Sequence, residues 1–229
     1  MGNMSELELI LTGQTEQHIQ WLSSNIGIHH EMLSGFSKLQ AEAELAGIEL
    51  TIASGFRSFE RQLAIWQNKF LGKTAIKNVS NQTVAIEQLS VDEKIHAIML
   101  FSALPGASRH HWGCDIDVYA KNLLPQGQSL ALEPWEYQAS GHFYPLTLWL
   151  AEHAQRFGFF LPYDKFRGGV AQEPWHLSYL PLSQHYQQAY SQELLAKTLV
   201  NSDIQGKSQL MSILPELYQR YIVNIATTE

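Results

Sequence analysis

The sequence predicts an α+β fold, with helices surrounding a few short strands. Apolar residues recur at helical spacing over residues 28–46, 91–103 and 145–157, and the chain is helical again from residue 183. Four short runs, 48–53, 112–119, 159–163 and 175–180, suit strands instead. The composition supports a packed core: 45% of residues are hydrophobic, 11% aromatic and only 16% charged, the reverse of a disordered chain.

Each element has a local reason. Met32, Phe36, Leu39, Ala43 and Ala46 fall on one helical face, and Gly47 supplies a stop. Residues 48–53 are rich in Ile, Leu and Thr, as a buried strand requires. Ser54-Gly55 is a turn, and Ser58 caps a helix through Phe59, Leu63, Trp66 and Phe70. Residues 71–90 are polar and weakly patterned and read as a long excursion. Ile95, Ile98, Met99 and Ser102 share one side of the next helix, which Leu104-Pro105-Gly106 breaks. Cys114, Ile116 and Val118 then alternate with Asp115 and Asp117, the period of a half-buried strand with Cys114 as a small core residue. Gly158 ends the helix over 145–157, the aromatic residues from Trp135 to Trp149 read as core packing, and Pro215 marks a break in the tail. With no repeat or linker, residues 1–229 are expected to form one domain. It would comprise N-terminal helices over about 15–46, a motif-bearing core over about 48–180 and a C-terminal helical extension over about 183–229.

Several functions are excluded early. The net charge of −7 argues against a polyanion-binding surface, so no nucleic-acid partner is expected. A single cysteine rules out a disulfide framework and any CxxC zinc ribbon, so a metal here needs His, Asp or Glu ligands, and the chain has ten histidines. Glu6 and Glu8 stand where a signal peptide needs basic and apolar residues, and no run of about 18 uncharged apolar residues occurs. The chain as written therefore reads as cytoplasmic with no transmembrane segment, or as periplasmic if a leader has been removed.

Three stretches stand out, about fifty residues apart: Ser54-Gly-Phe-Arg-Ser-Phe-Glu-Arg-Gln62, Ser108-Arg-His-His-Trp-Gly-Cys-Asp-Ile-Asp117 and Glu173-Pro-Trp-His176. His110, Asp117 and His176 offer two imidazoles and one carboxylate, the set with which a catalytic zinc leaves its fourth position open for water. Glu173 precedes His176 by three positions, and Pro174 argues for a turn that aims both side chains at one place. Taken singly, these residues have ordinary alternatives: structural histidines, a surface aspartate, and an Arg57 paired with Glu60.

Together and in this order, the stretches resemble the zinc D-alanyl-D-alanine carboxypeptidase family. That family includes the vancomycin-resistance carboxypeptidases and dipeptidases and shares its fold with hedgehog and lysostaphin-type zinc domains. The matching patterns are Ser-Gly-[Phe/Tyr]-Arg-Ser with a Gln five residues past the Arg, Ser-x-His-x-x-Gly-x-x-x-Asp, and Glu-x-x-His with Trp before the His. The resemblance covers roughly residues 48–180 and implies a small antiparallel sheet carrying the zinc site, surrounded by helices.

It also implies roles. His110, Asp117 and His176 would hold Zn²⁺. Glu173 would act as general base and then general acid. Arg57 would stabilise the oxyanion. Ser108 and Gln62 would hydrogen-bond the terminal residue of the peptide, including its carboxylate, while Trp175 and Trp112 would wall in a D-Ala methyl. Motif spacing selects His110 over His111 and Asp117 over Asp115. Asp115 is either a partner of a ligand histidine or a rival for the metal, and Arg109 either faces an anionic substrate or is exposed. The other histidines, the His29-His30 pair included, read as surface or core residues, and Gly168-Gly169 reads as an ordinary turn rather than a flap.

The implied activity is hydrolysis of the terminal D-alanine, at a D,D- or L,D-bond, from peptidoglycan stem peptides or their precursors by zinc-activated water. An endolysin-type endopeptidase and a non-catalytic zinc module are the alternatives.

Overall fold

Ser5 opens the first helix, α1 (Glu6–Leu11), with a capping box: the Ser5 hydroxyl accepts from the Glu8 amide, and the Glu8 carboxylate accepts from the Ser5 amide. This computed structural model describes residues 4–227. Next comes a hairpin of β1 (Ile19–Trp21) and β2 (Gly27–His29), paired from Ile19 opposite His29 to Trp21 opposite Gly27. The expected N-terminal helices over 15–46 are thus a hairpin and one long helix, α2 (Leu33–Leu45). Helix periodicity assigned Ile28 to that helix, but its backbone pairs with Gln20 and its side chain is fully buried. Helix α2 buries Phe36, Leu39 and Ala43 as predicted, while Ala46 is its exposed cap ahead of the left-handed Gly47.

Strand β3 (Leu50–Ser54) leads through a turn into α3 (Phe59–Phe70), where the Ser58 hydroxyl accepts from the Arg61 amide. The stretch 71–90 is not a featureless excursion, since it holds a hairpin of β4 (Ile76–Lys77) and β5 (Thr83–Val84). Ile76 and Ile86 anchor that hairpin in the core, two apolar side chains too sparse to leave a periodic pattern. Helix α4 (Val91–Met99) ends before the expected residue 103. Strand β6 (Asp115–Ala120) follows, then α5 (Pro134–Tyr137) and α6 (Tyr144–His153), whose last turn tightens to 3-10 before the left-handed Gly158. After β7 (Phe159–Phe160) and β8 (His176–Tyr179), the tail forms α7 (Leu180–Ala189), α8 (Gln192–Val200), α9 (Lys207–Ser212) and α10 (Leu214–Leu217). Pro215 lies in the first turn of α10, where its missing N–H costs nothing.

Four strands form one antiparallel sheet in the order β3-β6-β8-β7. Asp115 pairs with Ser178, Ile116 with Leu177 and Asp117 with His176. Because side chains alternate, one face of β6 and β8 carries Asp115, Asp117, His176 and Ser178, and the other carries Ile116, Val118 and Leu177. Strand β6 was expected to be half-buried, yet its polar face is covered as well, with Asp115 fully buried. The tail belongs to the same core: Leu195, Leu199, Leu210 and Leu217 are fully buried, and the Trp66 indole donates to the Gln205 carbonyl. Among the described residues no helix is long and apolar enough to cross a membrane.

The N-terminal hairpin is held through neutral imidazoles. His18 and His29 are buried, with ring nitrogens against the His111 carbonyl and the Tyr186 hydroxyl, and burial lowers each to about 4. An unfolded histidine titrates near 6.5, so between these values the unfolded chain binds more protons. The stabilising contribution is complete above about pH 6.5 and is lost progressively as the pH falls toward 4. Chemical denaturation across this range is expected to show that decline, flattened in a His18→Asn/His29→Asn variant.

Candidate metal centre and active site

The antiparallel register sets Asp117 directly opposite His176 on the covered face of the sheet. His110 reaches the same place from a 3-10 turn, Arg109–Trp112, which ends at Gly113. Gly113 is left-handed, with φ of 67°, and a Cβ there would lie 2.3 Å from Ile19 Cδ1. Only glycine lets that turn close beneath the N-terminal hairpin. One ligand atom from each of His110, Asp117 and His176 lies within 4.8 Å of the other two.

Hydrogen bonding assigns the tautomers. His110 Nδ1 lies 2.9 Å from the Gly55 carbonyl, which can only accept, so Nδ1 carries the proton and Nε2 turns its lone pair to Asp117 Oδ2 at 3.4 Å. His176 Nε2 lies 3.0 Å from Asp115 Oδ1, leaving Nδ1 facing Asp117 Oδ1 at 3.3 Å. Asp117 Oδ1 is buried with no hydrogen-bond partner among the described residues. Three acceptors therefore converge in a buried space, an unfavourable arrangement unless a cation joins them. Zinc bonds of about 2.0–2.1 Å in a tetrahedron place ligand atoms about 3.3 Å apart, so these residues fit the ion.

The electrostatics say the same. Burial alone would lower the pKa of His176, but the carboxylates of Asp115, Asp117 and Glu173 around it outweigh burial and raise it well above the usual value. Burial alone would raise that of Asp117, yet His110 and His176 hold its carboxyl far below the usual range. The cluster needs positive charge at its centre, supplied by protons or by a metal ion.

The neighbouring polar residues resolve the alternatives. Asp115 is not a rival ligand: Oδ1 accepts from His176 and from Arg109 Nε at 2.7 Å, and Oδ2 accepts from Ser178 at 3.1 Å. Arg109 is not exposed. It is buried, donating also to Ser178 and Gln187, with its guanidinium 4.6 Å from the Trp112 ring centre. His111 points away from the centre, accepting from the Gly106 amide through Nε2 and donating to the Arg57 carbonyl through Nδ1, and burial lowers it to about 3. His29, His30 and Glu31 also lie close together, but both nitrogens of His29 are engaged, by the Glu31 amide and the Tyr186 hydroxyl.

A cavity of about 350 Å³ opens over the cluster, lined by Arg57, Ser108, Trp112, Glu173 and Trp175 among others. The turn through Pro174 closes with a bond from the His176 amide to the Glu173 carbonyl, and it brings Glu173 Oε2 to 3.4 Å from His176 Nδ1. Arg57 donates to Gln62 Oε1 at 2.9 Å and to the Ser54 hydroxyl at 3.3 Å. Burial lowers its pKa, while the charges of Asp117 and Glu173 act in the opposite direction. Gln62 corrects an expectation. It is fully buried, its carbonyl oxygen accepts from Arg57, and its amide nitrogen donates to the Ala103 carbonyl, so each end bonds within the protein.

The cavity also contains residues that the motifs did not indicate. Lys69 and Tyr163 line it, and the β4–β5 hairpin adds Thr74, Ala75, Lys77 and Asn81. Lys77 and Asn81 both bond Glu133, which ties the hairpin across to the segment before α5. Lys69 was within reach of sequence reasoning, since it follows Gln62 by seven positions on the same helical face. Tyr221 and Ile222 of the tail also line the cavity, and nothing local in the sequence points to them. The Gly168-Gly169 turn is pinned by that tail, with the Arg220 guanidinium donating to the Gly168 carbonyl and a Cβ on Gly169 excluded by the Arg220 carbonyl at 2.0 Å.

Comparison with known proteins follows the same lines. A family model described as VanY D-alanyl-D-alanine carboxypeptidase matches residues 25–182. An uncharacterized protein of Haemophilus influenzae is 43% identical over 122 residues, 52% of this chain and 93% of its own. A D-alanyl-D-alanine carboxypeptidase of Enterococcus faecalis is 26% identical over 212 residues, 88% of this chain and 69% of its own. Among solved structures, a mutant vancomycin resistance D,D-pentapeptidase VanY in complex with Zn(II) superposes with a TM-score of 0.52 at 25% identity, covering 83% of this chain and 99% of that one. VanYB in complex with D-alanine-D-alanine shares the fold, with a TM-score of 0.53 at 22% identity over 82% of this chain and 92% of its own.

Asp115 orients His176 and neutralises Arg109, so Asp115→Asn is expected to weaken zinc binding by about 10- to 100-fold in chelator competition. The metal-free variant is also expected to unfold at lower denaturant than the metal-free parent, because Arg109 loses its buried counter-ion.

Proposed function

The chain belongs to the VanY D-alanyl-D-alanine carboxypeptidase family and is a zinc peptidase of the peptidoglycan, and from that premise we propose that it hydrolyses the D,D-bond that releases the terminal D-alanine of a stem peptide. In this reading His110, Asp117 and His176 hold the zinc, Glu173 moves the proton, and Arg57, Ser108 and Trp175 face the substrate. One observation carries it: the unpartnered Asp117 oxygen and two imidazole lone pairs converge beside Glu173, in a cavity that also presents Arg57.

Zinc, when bound, supplies Lewis acidity that brings water toward ionisation near neutral pH and polarises a carbonyl. Glu173 is placed to accept the proton that water gives up as its oxygen attacks the last peptide carbonyl. The same carboxyl then returns the proton to the departing nitrogen as the C–N bond breaks, leaving a shortened peptide with a new carboxylate and free D-alanine. Arg57 is braced by Gln62 and Ser54, so its positive charge is already oriented toward the oxygen on which negative charge develops. Trp175, packed at 5.4 Å against the Tyr137 ring, gives the pocket a rigid apolar wall suited to a methyl group.

The test is incubation of zinc-loaded protein with a pentapeptide and a tetrapeptide stem, with products read by mass. Release of a single D-alanine from the pentapeptide is expected, whereas two longer fragments would indicate an endopeptidase and release from the tetrapeptide an L,D-enzyme. Glu173→Gln is expected to lower the rate about 10²- to 10⁴-fold while retaining zinc. Chelation is expected to abolish turnover and added zinc to restore it. A metal-free protein, or a variant that turns over like the parent, overturns the reading.

A further inference from the structure

Four cations line the cavity: Arg57, Lys69, Lys77 and Arg109. Arg109 is neutralised by Asp115 and Lys77 by Glu133. Arg57 faces the metal centre, between Gln62 and Ser54 and under the charges of Asp117 and Glu173. Lys69 differs from Arg109 and Lys77 in lacking a carboxylate partner and from Arg57 in bonding to Ser102, away from the Gln62–Ser54 brace. Its ammonium donates to the Ser102 hydroxyl at 2.6 Å, a neutral partner, and among the described residues it forms no ion pair. Burial lowers its pKa, which the more distant Glu173 partly offsets. An ammonium held in a partly desolvated cavity by a hydroxyl alone has donors and charge left for an anion.

The position of Lys69 limits what that anion can be. Helix α3 runs along the segment before the metal motif, with Gln62 bonding the Ala103 carbonyl and Lys69 the adjacent Ser102. Lys69 therefore lies about two helical turns past Gln62 on the same face, roughly 10 Å along the axis. It continues the cavity beyond the Arg57–Gln62 pair. A peptide whose scissile carbonyl meets Arg57 still has its terminal carboxylate to accommodate. Ser108 and Gln62 were expected to receive it, and of these Gln62 already bonds within the protein at both ends, while Ser108 lines the cavity and supplies a hydroxyl but no charge.

We propose that Lys69, positioned by Ser102, binds the free C-terminal carboxylate of the peptide and so makes the site select a chain end. The proposal rests on the carboxypeptidase reading, and it assigns to Lys69 a specificity role in binding rather than in chemistry. A charge-assisted bond of this kind favours a carboxylate over the uncharged amide of the same peptide.

The test separates the two readings by measuring binding without turnover. Zinc-loaded Glu173→Gln protein is titrated calorimetrically with a peptide ending in D-Ala-D-Ala and with its C-terminal amide. Preference for the acid is expected, and Lys69→Met is expected to weaken binding of the acid about 10- to 100-fold while leaving the amide unchanged. Lys69→Arg should restore part of the preference, whereas Lys69→Gln, which keeps a donor for Ser102, should not. Equal weakening of both peptides, an undiminished preference in Lys69→Met, or no preference with Lys69 intact overturns the proposal. In the enzyme with Glu173 intact, Lys69→Met should raise KM for the acid with little change in kcat, so a kcat effect alone also overturns it. If that enzyme releases no D-alanine, the carboxypeptidase reading fails, and the acid-over-amide comparison still decides the role of Lys69.

Discussion

The pairing of Asp117 with His176 across two antiparallel strands is the constraint on which the site depends. A register change of one residue would turn Asp117 into the apolar layer now occupied by Ile116, Val118 and Leu177 and would bring one of those residues to the metal face. Register is therefore fixed twice, by the apolar layer that must stay dry and by the polar layer that must meet a cation. The second condition is the unusual one. Three carboxylates, Asp115, Asp117 and Glu173, surround a single buried imidazole. Such a cluster is stable only with positive charge at its centre.

Charges in and around this cluster are assigned in separate pairs. Arg109 neutralises Asp115 and stacks on Trp112, so that Asp115 serves the zinc only by orienting His176. His111 stays neutral and bonds the Arg57 carbonyl, which links the turn carrying the arginine to the turn carrying His110. The Arg57 guanidinium is fixed by Gln62 and Ser54, and Gln62 in turn by the Ala103 carbonyl. Arg57 and Lys69 are the two lysine or arginine side chains of the cavity without an ion pair among the described residues, and they are the two we propose meet the peptide. Preorganisation of this kind lets a site stabilise developing charge without moving its own dipoles during the reaction.

Much of the outcome was legible locally. Ser58 does cap its helix, Gly47 and Gly158 do end theirs, and Cys114 is a buried apolar residue. The composition had already removed thiolate zinc sites, and the three motifs carried His110, Asp117, Glu173 and His176 at spacings a turn and two paired strands can use. The misreadings share one cause. Ile28 fits a helical stripe, but its backbone pairs with Gln20 of a strand eight residues earlier. The stretch 71–90 looked unpatterned because two buried side chains, Ile76 and Ile86, are enough to hold a short hairpin that closes against Glu133.

By itself, then, the sequence determined the chemistry available to this protein: an imidazole and carboxylate metal set, a neighbouring glutamate, an arginine and an apolar core able to bury them. Tertiary structure decided how that chemistry is divided. It made Asp115 a partner of His176 and Arg109 rather than a ligand, engaged both ends of Gln62 internally, and brought Lys69 and the distant Tyr221 to one cavity. The physical reason is that residue type and local spacing set what a side chain can bond. Which bonds it makes depends on partners that only the folded chain brings within about 3 Å.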